Sequence, residues 1–327
     1  MGMRKVLYSK AINEALHEEM ARDQRVITYG EDVGVYGGLF RCTEGLQERF
    51  GVKRCFETPI SEAMITGTAV GSAIAGLRPV IEIMFMDWIG LTLDCMVNQA
   101  AVLPYSWDGQ VRVPMVMRTQ GGAGSKGSPQ HTKSLEAWLY HIPGLKVIMP
   151  STPYDAKGLL KAAIRDDNPV VYIEHKMCYP MMGEVPEEEY LVEIGKADVK
   201  RVGSDITVVA ISKTVHDTLA AAEELAQEEG ISVEVIDPRT LKPLDMETIV
   251  KSVKKTNKAL VVNEAWRTGC VASDIVAQIQ EKCFDDLDAP IARVTSPDVH
   301  TPYALNLENL WMLDKKKIKT QILKMLK

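Results

Sequence analysis

Apolar residues in the first half of the chain recur with two periods in turn. With Ser9 as N-cap, Ile12, Leu16 and Met20 mark one face of an amphipathic helix, and VITY at Val26 to Tyr29 is a short strand. A glycine-rich loop, GEDVGVYGG, comes next. AMITGTAVGSAIAGL, Ala63 to Leu77, is a small-residue helix whose Gly67, Ala69, Gly71 and Ala73 leave little bulk between it and its neighbours, so it is expected to be buried. PVIEIMFM from Pro79 reads as a strand, Ile89 to Leu103 as a helix, VRVPMVM from Val111 and KVIMP from Lys146 as strands. Pro153, behind Ser151 and Thr152, suits the first turn of a helix that leads into the strand PVVYIE. Strands this uniformly apolar fit a parallel sheet covered on both faces.

GEVPEEEYL, Gly183 to Leu191, has no period and is the candidate linker, which predicts domains at 1–182 and 191–327 with 183–190 between them. Beyond it DITVVAI, ISVEVI, KALVVN and PIARVT are short apolar strands. Helical stretches at Thr214 to Glu229, Asp245 to Thr256 and Thr268 to Phe284 separate them. This alternation predicts a second parallel sheet with right-handed crossovers, and hence an α/β protein of two three-layer α/β/α domains. The last segment, DKKKIKTQILKMLK, is a basic amphipathic helix with Ile318, Ile322 and Met325 on its apolar side; its lysines fit a solvated face, with membrane or partner contact the less favoured alternative.

Composition narrows the function classes. The 327 residues carry a net charge of -6, so no basic excess is available for nucleic-acid phosphates. Six cysteines, Cys42, Cys55, Cys95, Cys178, Cys270 and Cys283, occur without a CxxC pair, which fits reduced thiols better than a disulfide frame or zinc site. MGMRKVLYSK lacks a secretory apolar region, and the longest weakly polar run is too short and glycine-rich to cross a bilayer. A cytoplasmic protein with neither nucleic-acid nor membrane partners is the expectation.

The candidate chemistry starts at Glu62 in TPISE, at the head of the small-residue helix. An acid there either serves the helix dipole or, poorly hydrated beside a heterocyclic nitrogen, shares a proton with it. Gly122, Gly124 and Gly127 form a literal G-x-G-x-x-G, but Pro129 stands where a phosphate-binding helix would run, and the next strand ends in Pro150, Ser151 and Thr152 instead of a ribose-binding acid. Lys126 precedes the last glycine, so the P-loop order is absent as well. The better reading is a flexible loop beside a site, followed by His131 in SPQHTK. His17, His141, His175, His216 and His300 show no metal-ligand spacing, and no G-x-S-x-G elbow is present.

Several long segments carry a family resemblance: GEDVGVYGGLFRCTEGLQERFG, ETPISEAMITGTAVGSAIAGLRPVIE, QHTKSLEAW, IPGLKVIMPSTPYDAKGLLKAAIRDDNPV and EVIDPRTLKPLD. Over nearly its whole length the chain resembles the beta subunit of the decarboxylating component of 2-oxo acid dehydrogenase complexes, including pyruvate, branched-chain and acetoin types. The resemblance implies a transketolase-like pyrimidine-binding domain followed by a C-terminal transketolase-like domain. It implies thiamine diphosphate as cofactor, shared with an alpha subunit that holds the diphosphate and Mg2+. The G-D-G pattern that binds those groups is absent here.

By the same resemblance, Glu62 contacts N1′ of the aminopyrimidine and promotes its imino tautomer. Trp88 packs on the pyrimidine where relatives usually have phenylalanine or tyrosine. Met84 is a further pyrimidine contact, or plain core. His131 guides proton transfer during acylation of a lipoyl group. Met115, Ala163, Ile164, Asp166 and Asn168 match a potassium (K+) site, with turn capping by Asp166 and Asn168 the alternative. The implied partners are two alpha chains for two beta chains, a lipoyl-bearing dihydrolipoyl acyltransferase docked on the C-terminal domain, and a small 2-oxo acid or acetoin. IMFMDWIG, MRTQGGAG and MMGEVPEEEY look most like acetoin-type members, whereas KAAIRDDNPVVYIEH and VIDPRTLKPLD are shared with the other types. A non-catalytic scaffold and a freestanding transketolase-like enzyme are the rivals. Glu62, Trp88 and His131 together speak against the first, and the missing diphosphate domain against the second.

Overall fold

The structure, a computed structural model, describes residues 2–327. Two compact units divide them: residues up to Gly121 with Trp138–Ile194, and Gly122–Ala137 with Gly195–Lys327.

The first unit contains β1 (Met3–Leu7), α1 (Tyr8–Arg22), β2 (Val26–Gly30), α2 (Leu46–Phe50), β3 (Cys55–Glu57), α3 (Glu62–Ile74), β4 (Arg78–Ile83), α4 (Leu103–Ser106) and β5 (Val116–Gly121). After α5 (Glu136–His141) come β6 (Lys146–Ile148), α6 (Pro153–Arg165), β7 (Val170–His175) and β8 (Met182–Pro186). Its main strands run parallel in the order β6-β7-β5-β4-β2-β3. The central strands β5 and β7 are buried along their whole length; the apolar run PVVYIE predicts this for β7, whereas β5 carries the polar Arg118, Thr119 and Gln120 beyond the expected VRVPMVM. Helices α1 and α6 cover one face with Ile12, Leu16, Leu159 and Leu160. Their polar edges interlock, Lys157 Nζ lying 3.0 Å from Glu14 Oε2 and Lys161 Nζ 2.6 Å from Glu18 Oε2.

Several expectations change on folding. Helix α1 starts at Tyr8 behind Leu7, so Ser9 lies inside it and does not cap it. The helix expected at Ile89 to Leu103 is broken into a 3-10 turn at Met86–Leu91, a π-helical stretch at Asp94–Ala100 and the short α4. Thr92 Oγ1 donates to Ile89 O at 2.8 Å, tightening the first turn, and Pro104 opens the last piece. The strand expected from Val111 starts only at Val116, beyond Pro114, which has no N–H for a ladder. Only one face of α3 is buried, through Ile65, Thr66, Ala69, Val70 and Ala73; a Cβ on Gly71 would meet nothing within 4 Å. The candidate linker 183–190 opens as strand: β8 pairs antiparallel with β1, Arg4 facing Val185, and the first unit runs on to Ile194. Backbone pairing with a distant strand cannot be read from a segment that lacks its own period.

The second unit contains β9 (Asp198–Arg201), β10 (Ile206–Ala210), α7 (Thr214–Glu229), β11 (Val233–Asp237), β12 (Thr240–Lys242), α8 (Met246–Thr256), β13 (Ala259–Trp266), α9 (Val271–Cys283), β14 (Ala292–Ser296), α10 (Leu305–Trp311) and α11 (Lys315–Leu326). Its sheet has the order β14-β13-β10-β11-β9, parallel except for the antiparallel edge strand β9, which the sequence pattern did not reveal. Helix α8 is capped by Asp245, which accepts from Thr248 N–H at 3.1 Å. Ile318 and Ile322 of α11 enter the core with Leu225 and Leu260, while Lys315 and Lys319 pair with Glu224 and Glu228 on the surface.

Candidate functional site

In the first unit β2 lies between β3 and β4, so the connections leaving β2 and β4 diverge to opposite sides. A crevice forms at the C-terminal ends of parallel strands where the order reverses in this way, and ligands bind there. Glu31 follows β2 directly, and Met84 follows β4. Glu62 opens α3 a few residues beyond β3. Helix α3 packs against the 3-10 turn Met86–Leu91, which carries Trp88. Three predicted cofactor residues, Glu62, Met84 and Trp88, thus share one edge of one sheet.

Glu62 is 7% exposed and its carboxyl makes no side-chain hydrogen bond among the described residues. The acid at the first helical position also faces the positive end of the helix dipole, which bears out the dipole reading of Glu62 and leaves its carboxyl available to a ligand. Glu31 was not anticipated as a site residue. Burial, and after it the Glu62 charge, pushes the Glu31 carboxyl above its ordinary value, and Glu31 Oε1 meets no protein donor. The signal lay in the sequence: an acid immediately after an apolar strand, in a parallel sheet, stands at the binding edge. Trp88 leaves 39% of its surface open, enough for an indole face to receive a ring, and Met84 is half-buried.

Within the same sheet the buried Arg118 guanidinium joins three strands. Nε and Nη2 donate to the Glu174 carboxylate at 2.7 and 2.8 Å, and Nη1 donates to Glu82 Oε2 at 2.6 Å. Gln120 Nε2 donates to Glu82 Oε1 at 2.8 Å, and Tyr179 O–H to Glu174 Oε2 at 2.5 Å. Burial pushes the Glu174 carboxyl up, against the pull of Arg118. This network ties β4, whose end carries Met84, to β5 and β7.

His131 belongs to the second unit. Its loop has φ of +87° at Gly122 and +96° at Gly124, with Lys126 and Ser128 also left-handed at +57° and +60°. Gly127 lies so close to the histidine that a Cβ there would stand 3.0 Å from both His131 Cβ and His131 O. The imidazole itself is exposed. The glycines therefore serve backbone geometry beside His131, as the rejection of a dinucleotide fingerprint implies.

The residues proposed for potassium do gather at one turn. Their oxygens already hold protein donors: Met115 O accepts from Val170 N–H at 2.9 Å, Ala163 O from Asp166 N–H at 3.2 Å, and Ile164 O and Asp166 O from Arg78 Nη1 at 3.0 Å each. Asp166 Oδ1 accepts from Asn168 N–H at 2.9 Å, an Asx turn before Pro169. The turn is therefore formed, with Arg78 against its carbonyls; each carbonyl keeps a second lone pair, so these contacts fit both the turn alone and a turn that also holds a cation. Among the described residues no group of three or more His, Cys, Asp or Glu is placed to hold a metal ion, and no helix is long and apolar enough to cross a membrane.

Residues 4–182 match the family model of the transketolase pyrimidine binding domain, and residues 195–318 that of the transketolase C-terminal domain. A solved structure described as a split-gene transketolase, an inactive beta4 tetramer, superposes with a TM-score of 0.79 at 20% identity over 98% of each chain, which speaks for the fold alone. Fold and site thus define a two-domain α/β protein of the transketolase class. The 2-oxoisovalerate dehydrogenase subunit beta of Bacillus subtilis is 46% identical over 95% of both chains. From the same organism, the pyruvate dehydrogenase E1 component subunit beta is 45% identical over 94% of this chain and 95% of its own. The acetoin:2,6-dichlorophenolindophenol oxidoreductase subunit beta is 44% identical over 99% and 98%. The chain belongs to the E1 beta-subunit family of the 2-oxo acid and acetoin dehydrogenase complexes, which are oxidoreductases.

That membership implies thiamine diphosphate, and the first unit's edge fits the cofactor's pyrimidine. A buried carboxyl at Glu62, an unpartnered oxygen at Glu31 and an open indole at Trp88 offer acceptors for ring N–H groups and a stacking face.

Proposed function

We propose that this chain is the beta half of a thiamine-diphosphate-dependent dehydrogenase that acts with an alpha partner, two chains of each. In this reading it cleaves a small 2-oxo acid or acetoin and passes the acyl group to a lipoyl group on an acyltransferase. The observation that carries the reading is the placement of Glu62, buried at the head of α3, beside the strand-order reversal and electrostatically coupled to Glu31.

Bound thiamine diphosphate supplies an electron sink for the bond cleaved beside the carbonyl. Glu62 holds the proton at the pyrimidine ring nitrogen, in a site where poor hydration strengthens that hydrogen bond. Trp88 gives the ring a flat apolar surface. Met84 fills the remaining gap with an adaptable thioether. His131 moves a proton to the lipoyl sulfur released when the acyl group bonds to the other sulfur. Diphosphate and Mg2+ are assigned to the alpha chain, whose binding pattern this sequence lacks.

Exposed apolar residues support a partnered state. Ile60, Met64 and Ile74 on or beside α3 are exposed, as are Leu91, Tyr105 and Trp107 in the segments that follow β4, an amount of open apolar surface that a partner would cover.

The test is thiamine-diphosphate-dependent reduction of an artificial electron acceptor by this chain mixed with its alpha partner. Acetoin, pyruvate and branched-chain 2-oxo acids are offered in parallel. Activity that requires both chains is expected, with acetoin or pyruvate ahead of the branched-chain acids. A cofactor-loaded complex inert toward all three would overturn the reading.

A further inference from the structure

We propose that Glu308 and Glu264 are positioning residues for His131, their carboxyls clamping the backbone of the loop that carries it. The inference rests on the reading of His131 as the proton-transfer group for the lipoyl step.

The loop departs from Gly122, and its next two residues are gripped at once. Glu264 Oε1, on β13, accepts from Ala123 N–H at 2.9 Å, and Glu308 Oε1, on α10, accepts from Gly124 N–H at 2.8 Å. The far end of the loop is tied to the same strand: Asn263 Nδ2 donates to Glu136 Oε1 at 2.8 Å. Between these points Tyr303 O–H donates to Gln130 Oε1, next to His131, at 3.1 Å. Four attachments from three places on the second unit thus hold one loop. They also account for residues 122–137 grouping with that unit, although the pyrimidine-domain family match runs through them.

Two features separate a clamp from ordinary core packing. Glu136, Glu264 and Glu308 are all buried, Glu136 and Glu308 completely, and Glu136 Oε2 and Glu308 Oε2 meet no protein donor. Three buried carboxyls cost stability that apolar side chains of the same size would not. Two of them, moreover, are aimed at consecutive amides of a backbone in the left-handed region at Gly122, Gly124, Lys126 and Ser128. Gly122 and Gly124 adopt that region freely, but Lys126 and Ser128 do so at a cost that persists only where the surroundings over-determine the backbone. The loop itself also carries Lys126, His131 and Lys133, and Lys133 Nζ donates to Pro129 O at 2.8 Å within it.

The experiment uses the complex with the alpha partner and compares two rates, reduction of an artificial acceptor and acylation of a lipoyl-bearing domain of the acyltransferase. Glu308→Leu removes the acceptor of the Gly124 amide at similar volume. It should lower kcat for lipoyl acylation about tenfold or more, since misplacement of a reacting group by about 1 Å costs up to about a hundredfold. Acceptor reduction should stay within about twofold on the same argument. Glu308→Gln keeps an oxygen for that amide and should restore the lipoyl rate. Equal loss in both rates, or a Gln variant as poor as Leu, would overturn the clamp. Should Glu308→Leu fail to assemble, Glu308→Asp retracts the oxygen by one methylene, and an unaltered lipoyl rate in it is equally fatal. His131→Asn serves as the reference. If it leaves the lipoyl rate intact, the reading of His131 falls and the clamp with it; if it abolishes that rate while the Glu308 variants do not, only the clamp falls.

Discussion

Glu31 and Glu62 repel each other at the binding edge of the first sheet: after burial, the Glu62 charge is the largest influence raising the Glu31 carboxyl above its ordinary value. A carboxyl so raised holds its proton more readily than an ordinary one, beside the acid proposed to meet a ring nitrogen.

Glu62→Gln keeps the shape of the side chain and removes its charge. Turnover with the alpha partner should fall about 10²- to 10⁴-fold, the range of a general acid or base, while size-exclusion chromatography shows the assembly unchanged. Infrared titration of the carboxyl groups should find Glu31 ionising at lower pH in this variant. Full activity in Glu62→Gln would remove the proposed role.

Glu136 gives a stability signature with a definite sign. Burial, opposed by the Asn263 hydrogen bond and helped by Glu264, pushes it from 4.5 up to about 6. Its contribution is therefore fully present below pH 4.5 and is lost as pH rises through about 6. Glu136→Gln should stabilise the second unit by about 2 kcal/mol at pH 8, the equivalent of the shift at 1.36 kcal/mol per unit, and by nearly nothing at pH 4. Urea unfolding at the two pH values measures the difference.

Arg118→Met strands the Glu82 and Glu174 carboxyls inside the sheet. A loss of about 3–5 kcal/mol is expected in denaturant unfolding, as when one partner of a buried pair is removed. Adding Glu82→Gln and Glu174→Gln should recover most of it. A cost below about 1 kcal/mol for the single variant, the level of a surface pair, would show that the network is solvated.

At Gly127 the expected effect is local. Alanine places its Cβ 3.0 Å from His131 Cβ and O, so the histidine must move by a few tenths of an ångström. Lipoyl acylation should fall several-fold, with acceptor reduction and melting temperature nearly unchanged. Parallel loss of both rates would place Gly127 in general folding instead.

The long elements were legible because each bears its own period or cap. Helix α7 spans Thr214–Glu229 as the pattern predicts, and Thr152 with Pro153 starts α6, where Thr152 Oγ1 accepts from Asp155 N–H at 3.1 Å. The edge strands β1, β8 and β9 escaped notice because they are half-exposed, short and defined by partners far away in sequence. The run from Ile89 was misread as one helix because its apolar spacing is helical while Thr92 and Pro104 divide the backbone hydrogen bonding locally.

Glu62 and His131 stand in long segments whose residue order marks the family, and Trp88 in the shorter IMFMDWIG, so the sequence by itself determined the family and named these candidate residues. Tertiary structure decided what surrounds them. Glu31 acquires its raised proton affinity only when folding buries it and, second, brings the Glu62 charge near it. Glu264 and Glu308 become relevant to His131 only because folding carries β13 and α10 to the amides of Ala123 and Gly124, 141 and 184 residues away along the chain. A local pattern records the preferences of neighbouring residues, whereas burial, like-charge coupling and clamping depend on distances that exist only after the chain has closed on itself.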